Sequence, residues 1–220
     1  MIFSDRQDAG RQLAAKLKRF AAQKPIIFAL PRGGVPIGFE VARSLDAPLD
    51  VILVRKLGHP ISHELAIGAV AEGAENTPFL DDRIIAEFGI SPQYVTEETE
   101  RQRHEIDHRR QLYAKGRRPL QSRSRVAIVV DDGIATGSTM IAAVRAIRRQ
   151  KPSRVIVAVP VGAASSILAL QAEADDVVCL EAPDDFRAVG EFYRDFRAID
   201  DREVIGLLEQ SVEFGAGDQP

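Results

Sequence analysis

Four short, almost wholly apolar runs punctuate this chain: Ile26 to Leu30, Leu49 to Val54, Arg125 to Val130 and Arg154 to Pro160. Runs of this kind suit central strands of a parallel sheet, which are buried on both faces and so show no alternation. Weaker strand signals cover Leu65 to Ala71 and Asp176 to Leu180. Between them, Pro36 to Leu45, Ser138 to Arg149 and Ala163 to Glu173 repeat their apolar residues at helical spacing. At the start, Ser4 or Asp5 can cap a helix with Leu13, Leu17 and Phe20 on one face, and Pro25 ends it. Strand and helix therefore alternate, which predicts an α/β fold: a doubly wound, mainly parallel sheet.

Two stretches break the alternation. Asp81 to Arg118 is charged and helical, with Ser91-Pro92 opening a long second helix. Its sign runs from acidic (Glu97, Glu98, Glu100) to basic (Arg109, Arg110, Lys115, Arg117, Arg118), as the helix macrodipole favours on a solvated helix. Asp184 to Phe214 is rich in aromatic and acidic residues. These two stretches predict a helical hood, about 81–118 and 183–214, on a core of about 1–80 and 119–182, within a single domain 1–220. Gly215 to Pro220 is expected to fray.

Bulk composition narrows the function classes. With 220 residues, 45% apolar and 28% charged, the chain can build one substantial core. A net charge of -3 gives no general case for nucleic acid or an anionic membrane as partner. No apolar stretch approaches the ~20 residues that span a bilayer. Met1 to Phe20 lacks the apolar centre of a signal peptide, so a cytoplasmic location is expected. Cys179, the one cysteine, sits in the apolar run Val177 to Leu180 and reads as a small strand residue.

The chemistry concentrates in Val126-Ala-Ile-Val-Val-Asp131-Asp132-Gly133-Ile-Ala135-Thr136-Gly137-Ser138-Thr139. A buried strand delivers two acids to the sheet edge where ligands of open α/β sheets bind. Gly133 and Gly137 then allow tight backbone and close approach by a ligand. Backbone amides, with the Thr136, Ser138 and Thr139 hydroxyls, can wrap a phosphate at the positive end of the following helix. Asp131 and Asp132 suit hydrogen bonds from a sugar diol, or a magnesium ion held through water. No Gly-Lys-Ser/Thr follows the glycines and no G-x-G-x-x-G occurs, which argues against nucleotide-binding loops of those kinds.

This segment resembles the signature of type I phosphoribosyltransferases. The resemblance implies that Asp131 and Asp132 contact the ribose of phosphoribosyl pyrophosphate (PRPP). Gly133 and Ala135 to Thr139 (Ala135, Thr136, Gly137, Ser138, Thr139) would hold its 5-phosphate, and Mg²⁺ would be the cofactor. Leu30-Pro31-Arg32-Gly33-Gly34 is similar to the family's pyrophosphate loop, which implies a cis peptide bond at Pro31–Arg32. Arg32 and the Gly33 and Gly34 amides would then face the pyrophosphate. Arg55-Lys56, after the Leu49–Val54 run, resembles a pair that reaches the pyrophosphate in adenine and orotate enzymes. Arg32, Lys56, Asp131 and Asp132 are therefore the candidate catalytic residues. Leu57 to Glu64, with His59 and His63, takes the place of the family's closing loop.

The acceptor is less legible. Glu181-Ala-Pro-Asp-Asp-Phe186 looks like the segment in which hypoxanthine and guanine enzymes stack an aromatic ring on the purine, which implies Phe186 as acceptor platform. Phe186, Phe192 and Tyr193 serve equally as packing for the hood. Ala135 stands where those enzymes place an acidic base, and Ala174 where they place a lysine, so a 6-oxopurine acceptor is disfavoured. Ala135 is similar instead to adenine and uracil enzymes. The resemblance implies transfer of ribose 5-phosphate to a nucleobase-like nitrogen, releasing pyrophosphate. The alternative is a non-catalytic PRPP- or nucleotide-binding regulator on the same fold. RNA binding through Arg101 to Arg125 is a third reading, and it would be steeply salt-dependent.

Overall fold

The computed structural model describes residues 2–61, 65–73 and 78–215. In chain order its elements are α1 (Arg6–Leu17), β1 (Ile26–Ala29), α2 (Gly34–Leu45), β2 (Leu49–Val51), β3 (Val54–Gly58), β4 (Ala66–Ala71) and β5 (Phe79–Leu80). Then follow α3 (Asp82–Glu87), α4 (Pro92–Ala114), β6 (Val126–Val130), α5 (Ser138–Arg149), β7 (Arg154–Val161), α6 (Ala164–Gln171), β8 (Asp176–Glu181) and α7 (Asp201–Gln210). Asp5 caps α1 by accepting from the Asp8 amide, and a 3-10 segment, Lys18–Gln23, carries Phe20 into the core. Ser91 caps α4, with Pro92 at its first position.

Five strands form a parallel sheet in the order β2-β1-β6-β7-β8. Alternate residues leave opposite faces, and both faces are covered. Ile27, Ala29, Ile128, Val130, Ile156 and Ala158 join a core that includes α1, α2 and α7. Ile26, Phe28, Ala127, Val129, Val155 and Val157 join a second core against α5 and α6. This two-sided burial is why the strands read as continuous apolar runs. The chain winds from β1 towards β2 on one side and from β6 towards β8 on the other. The winding therefore reverses between β1 and β6, and ligands of such sheets bind at the C-terminal ends of the strands flanking that point.

One apolar run does not form one strand. Leu49 to Val54 divides into β2 and the start of β3, with Ile52 and Leu53 between them. Ile52 donates to the Ala29 carbonyl at 3.0 Å, and the chain then leaves the parallel sheet. It enters an antiparallel sheet, β3-β4-β5. Arg55 and Lys56 thus lie inside β3, not at the end of a parallel strand. Leu57 and Gly58 also belong to β3, so the segment expected to close over the site begins as a paired strand. His59 is buried, not exposed, and sets its edge against Phe88 with ring centroids 5.0 Å apart. His63 and Glu64 lie outside the described residues.

The hood is tied down by charge. Arg110 on α4 was expected on a solvated face, yet its side chain is only 14% exposed. It donates to Asp50 at 2.8 Å and to the Val51 carbonyl at 2.7 Å, and pairs with Glu72. Asp50 also accepts from the Leu120 amide, so the end of β2 organises both the helix and its exit. Arg117 donates to the Leu208 carbonyl of α7. The N-terminal segment joins the hood as well: Phe3 and Ser4 bond backbone-to-backbone with Phe192, Arg194 and Asp195. Among the described residues, no helix is long and apolar enough to cross a membrane.

Candidate active site

β6 ends at Val130, and Asp131 and Asp132 stand at the sheet's C-terminal edge. The loop beyond them is held from below. Ile134 donates to the Val161 carbonyl at 2.9 Å, Ala163 donates back to Ile134, and Ser166 Oγ donates to the Ala135 carbonyl at 2.6 Å. Ala135 and Thr136 are exposed above these ties. Gly137 adopts φ 79°, a left-handed conformation that glycine takes without penalty, and α5 starts at the next residue. The first-turn amides of α5 lack partners within the helix, and the loop opens onto them.

The second loop leaves β1. Its Pro31–Arg32 peptide bond is cis. Gly34 donates to the Leu30 carbonyl at 3.0 Å as α2 begins, and the Arg32 side chain is exposed. The two loops interlock. A Cβ on Gly33 would fall 1.9 Å from Asp132 Oδ2, and one on Gly34 would fall 3.2 Å from Asp131 Oδ1. No side chain fits there, so the backbone of the first loop lies directly on the acids of the second.

Arg55 and Lys56 part company, because successive strand residues point to opposite faces. Arg55 Nε donates to Gln102 Oε1 at 3.0 Å, and Gln102 donates in turn to Glu98 at 2.9 Å, which commits Arg55 to α4. Lys56 is exposed on the other face, shared with Val54, whose side chain packs in the α5 core.

Asp131 stands half-buried beside Asp132. Loss of solvation pushes its pKa well above the usual carboxylate range, and the neighbouring acid pushes it further. Asp132 is also raised by burial, with Arg6 pulling against it. Asp131 Oδ1 accepts from the Asp132 amide at 2.8 Å. Asp132 Oδ2 accepts from Arg6 Nε at 2.8 Å, and the Asp132 carbonyl accepts from the Tyr193 hydroxyl at 2.6 Å. Arg6 and Tyr193 are the site residues that sequence reasoning missed. An acid is favoured in a helix's first turn, so an arginine at the first position of α1 is the one local hint.

The hood's C-terminal segment closes over the same place. Val189 presses on the loop, since a Cβ on Gly133 would lie 2.5 Å from Val189 Cγ1. Phe186 stacks on Phe192 with centroids 5.8 Å apart and planes at 10°. One face of the ring expected to receive the acceptor is therefore paired within the protein. Cys179 is half-buried, and its thiol is pushed up to about 11 by burial, which agrees with a strand residue rather than a nucleophile.

A family model described as the phosphoribosyl transferase domain matches residues 4–197. Two Mycobacterium tuberculosis sequences, from strains CDC 1551 / Oshkosh and H37Rv and provisionally named phosphoribosyl transferases, are 40% identical over 99% of this chain. The chain spans about half of their length, 49%. The crystal structure of TT1426 from Thermus thermophilus is 40% identical, covers 96% of this chain and 99% of its own, and superposes with a TM-score of 0.82. The five-stranded parallel sheet with its small antiparallel companion is the α/β arrangement that the alternation of strands and helices predicts. By sequence match across most of its length, the chain belongs to the phosphoribosyl transferase family.

Proposed function

We propose that this protein transfers ribose 5-phosphate from PRPP to a nitrogen of a nucleobase-like acceptor and releases pyrophosphate, with Mg²⁺ as cofactor. The observation that carries the reading is the interlock of Gly33 with Asp132. It sets a loop fit for pyrophosphate against two acids fit for a sugar diol, with a phosphate-sized helix terminus next along the chain.

The acceptor nitrogen bonds to the anomeric carbon as the bond from that carbon to the pyrophosphate oxygen breaks. The electron pair leaves with pyrophosphate, the acceptor nitrogen gives up its proton to solvent or to the departing pyrophosphate, and the sugar passes through oxocarbenium character. Arg32, Lys56 and the Gly33 and Gly34 amides meet the charge that develops on the leaving group. Asp131 and Asp132 orient the ribose, and Gly133 with Ala135 to Thr139 anchors the 5-phosphate. Arg55 contributes from β3 only if PRPP draws it away from Gln102. Among the described residues the site offers carboxylates without imidazole or thiol, a donor set that suits a hard cation keeping its water. Asp131 and Asp132 would hold Mg²⁺ through that water, and the ion would supply positive charge to the pyrophosphate.

Ala135 supports a second reading. No carboxylate stands at that position, and its carbonyl is tied to Ser166, so the loop has no acidic base to offer an acceptor. A regulator that binds PRPP without turnover fits this too. Pyrophosphate release measured across adenine, uracil, orotate, hypoxanthine and guanine separates the two. Turnover with at least one base, and least with the 6-oxopurines, supports the enzyme. PRPP binding with no release on a full panel of bases supports the regulator.

A further inference from the structure

We infer that Arg6 is a positioning residue for the ribose site, acting through Asp132 from the opposite end of the chain. This rests on the reading of Asp131 and Asp132 as ribose ligands. Arg6 is 8% exposed and fixed in three directions. Its Nε donates to Asp132 Oδ2 at 2.8 Å, and its Nη1 donates to the Arg197 carbonyl at 2.8 Å. The guanidinium carbon lies 3.9 Å from the centre of the Phe196 ring. A planar guanidinium spreads its donors in a rigid fork that reaches a carboxylate and a carbonyl while its face lies on a ring, whereas an ammonium is a compact point charge on a flexible stem.

Arg6 fixes the orientation of the carboxyl that the sugar would meet. Asp131 commits Oδ1 to the Asp132 amide, and Asp132 commits Oδ2 to Arg6. The two carboxyls also hydrogen-bond to each other, so holding Asp132 holds the pair that a ribose diol would meet. Without Arg6, the Asp132 carboxyl is free to turn and loses the charge that faces its neighbour's. Arg6 touches none of the groups assigned to pyrophosphate or to the 5-phosphate. Its removal therefore weakens sugar recognition more than pyrophosphate binding, whose loop meets Asp132 only through the Gly33 backbone.

Calorimetric titrations of PRPP with Mg²⁺, and of pyrophosphate with Mg²⁺, test this on the wild type, R6M, R6K and F196L. R6M is expected to raise the PRPP Kd tenfold or more and to leave the pyrophosphate Kd within twofold. R6K recovers less than half of the loss on a logarithmic scale, because it cannot bridge Asp132 and the Arg197 carbonyl. F196L, which keeps Arg6 but removes the ring against it, falls between wild type and R6M. If R6M does not fold, F196L decides: a PRPP-selective loss supports the inference. An unchanged PRPP Kd in a folded variant overturns it, and so does equal weakening of both ligands. A wild type that binds no PRPP overturns the donor reading itself, which is a different result from a wild type that binds beside an unaffected R6M.

Discussion

The proposed donor half and the proposed acceptor half of this site are built in opposite ways. On the donor side, the loops after β1 and β6 rely on backbone: Gly33 lies on Asp132, Gly137 turns the chain into α5, and Ser166 ties down Ala135. On the acceptor side, the segment after β8 spends its large side chains within the protein. Phe186 stacks on Phe192, Val189 covers Gly133, and Tyr193 holds the Asp132 carbonyl. The acceptor segment is thus also a brace for the donor site.

The largest break in this comparison comes from D131N with D132N. Each carboxylate would accept hydrogen bonds worth ~1.5–3 kcal/mol from charged or strongly polar partners, so losing both charges should weaken PRPP binding roughly 100-fold or more. A melting curve that shows an intact fold beside near-normal PRPP affinity would refute the ribose assignment. Next is Gly33→Ala, whose methyl group collides with the Asp132 carboxyl. Displacing that carboxyl costs stability by about 1–3 kcal/mol, as overpacking does, and PRPP affinity should fall about tenfold. A G33A variant with unchanged affinity would mean that the two loops are not coupled.

Phe186→Ala probes the other half. The account expects a PRPP Kd within twofold of wild type and a fall of about tenfold in turnover with whichever base is used. A large loss of PRPP affinity would instead make Phe186 part of the brace.

The smallest effect concerns stability and pH. The Asp131 carboxyl titrates above the unfolded value of ~3.9, so its protonated form is the one the fold favours. The stability it contributes is complete below pH ~4 and is lost as pH rises through its native pKa. Metal-free D131N should therefore be more stable than wild type at pH 7, with the gap closing near pH 4. Urea titrations at the two pH values would detect this, and a variant less stable at pH 7 would contradict it.

The fold was legible wherever burial on both faces left an apolar signature. The run ending at Val130 and the helix Ser138–Arg149 form where periodicity places them. The break at Ile52-Leu53 was not, because a strand that leaves one sheet for another keeps its apolar character throughout. The loops after β1 and β6 stood out as candidates because glycine, adjacent acids and hydroxyls have few other reasons to cluster. Arg6 was not, since its bond spans 126 residues and no local pattern encodes a partner that distant. Arg110 was misread for the same reason: the macrodipole explains a basic helix end without revealing the acids at β2 and beyond β4 that bury it.

The central claim is that the loops after β1 and β6 form one PRPP site. Titration of the folded wild-type protein with PRPP in the presence and absence of Mg²⁺ tests it most directly. The account predicts saturable binding at one site per chain, strengthened by Mg²⁺ and lost in D131N/D132N. Absence of PRPP binding by the intact protein, or binding indifferent to both acids, would contradict it.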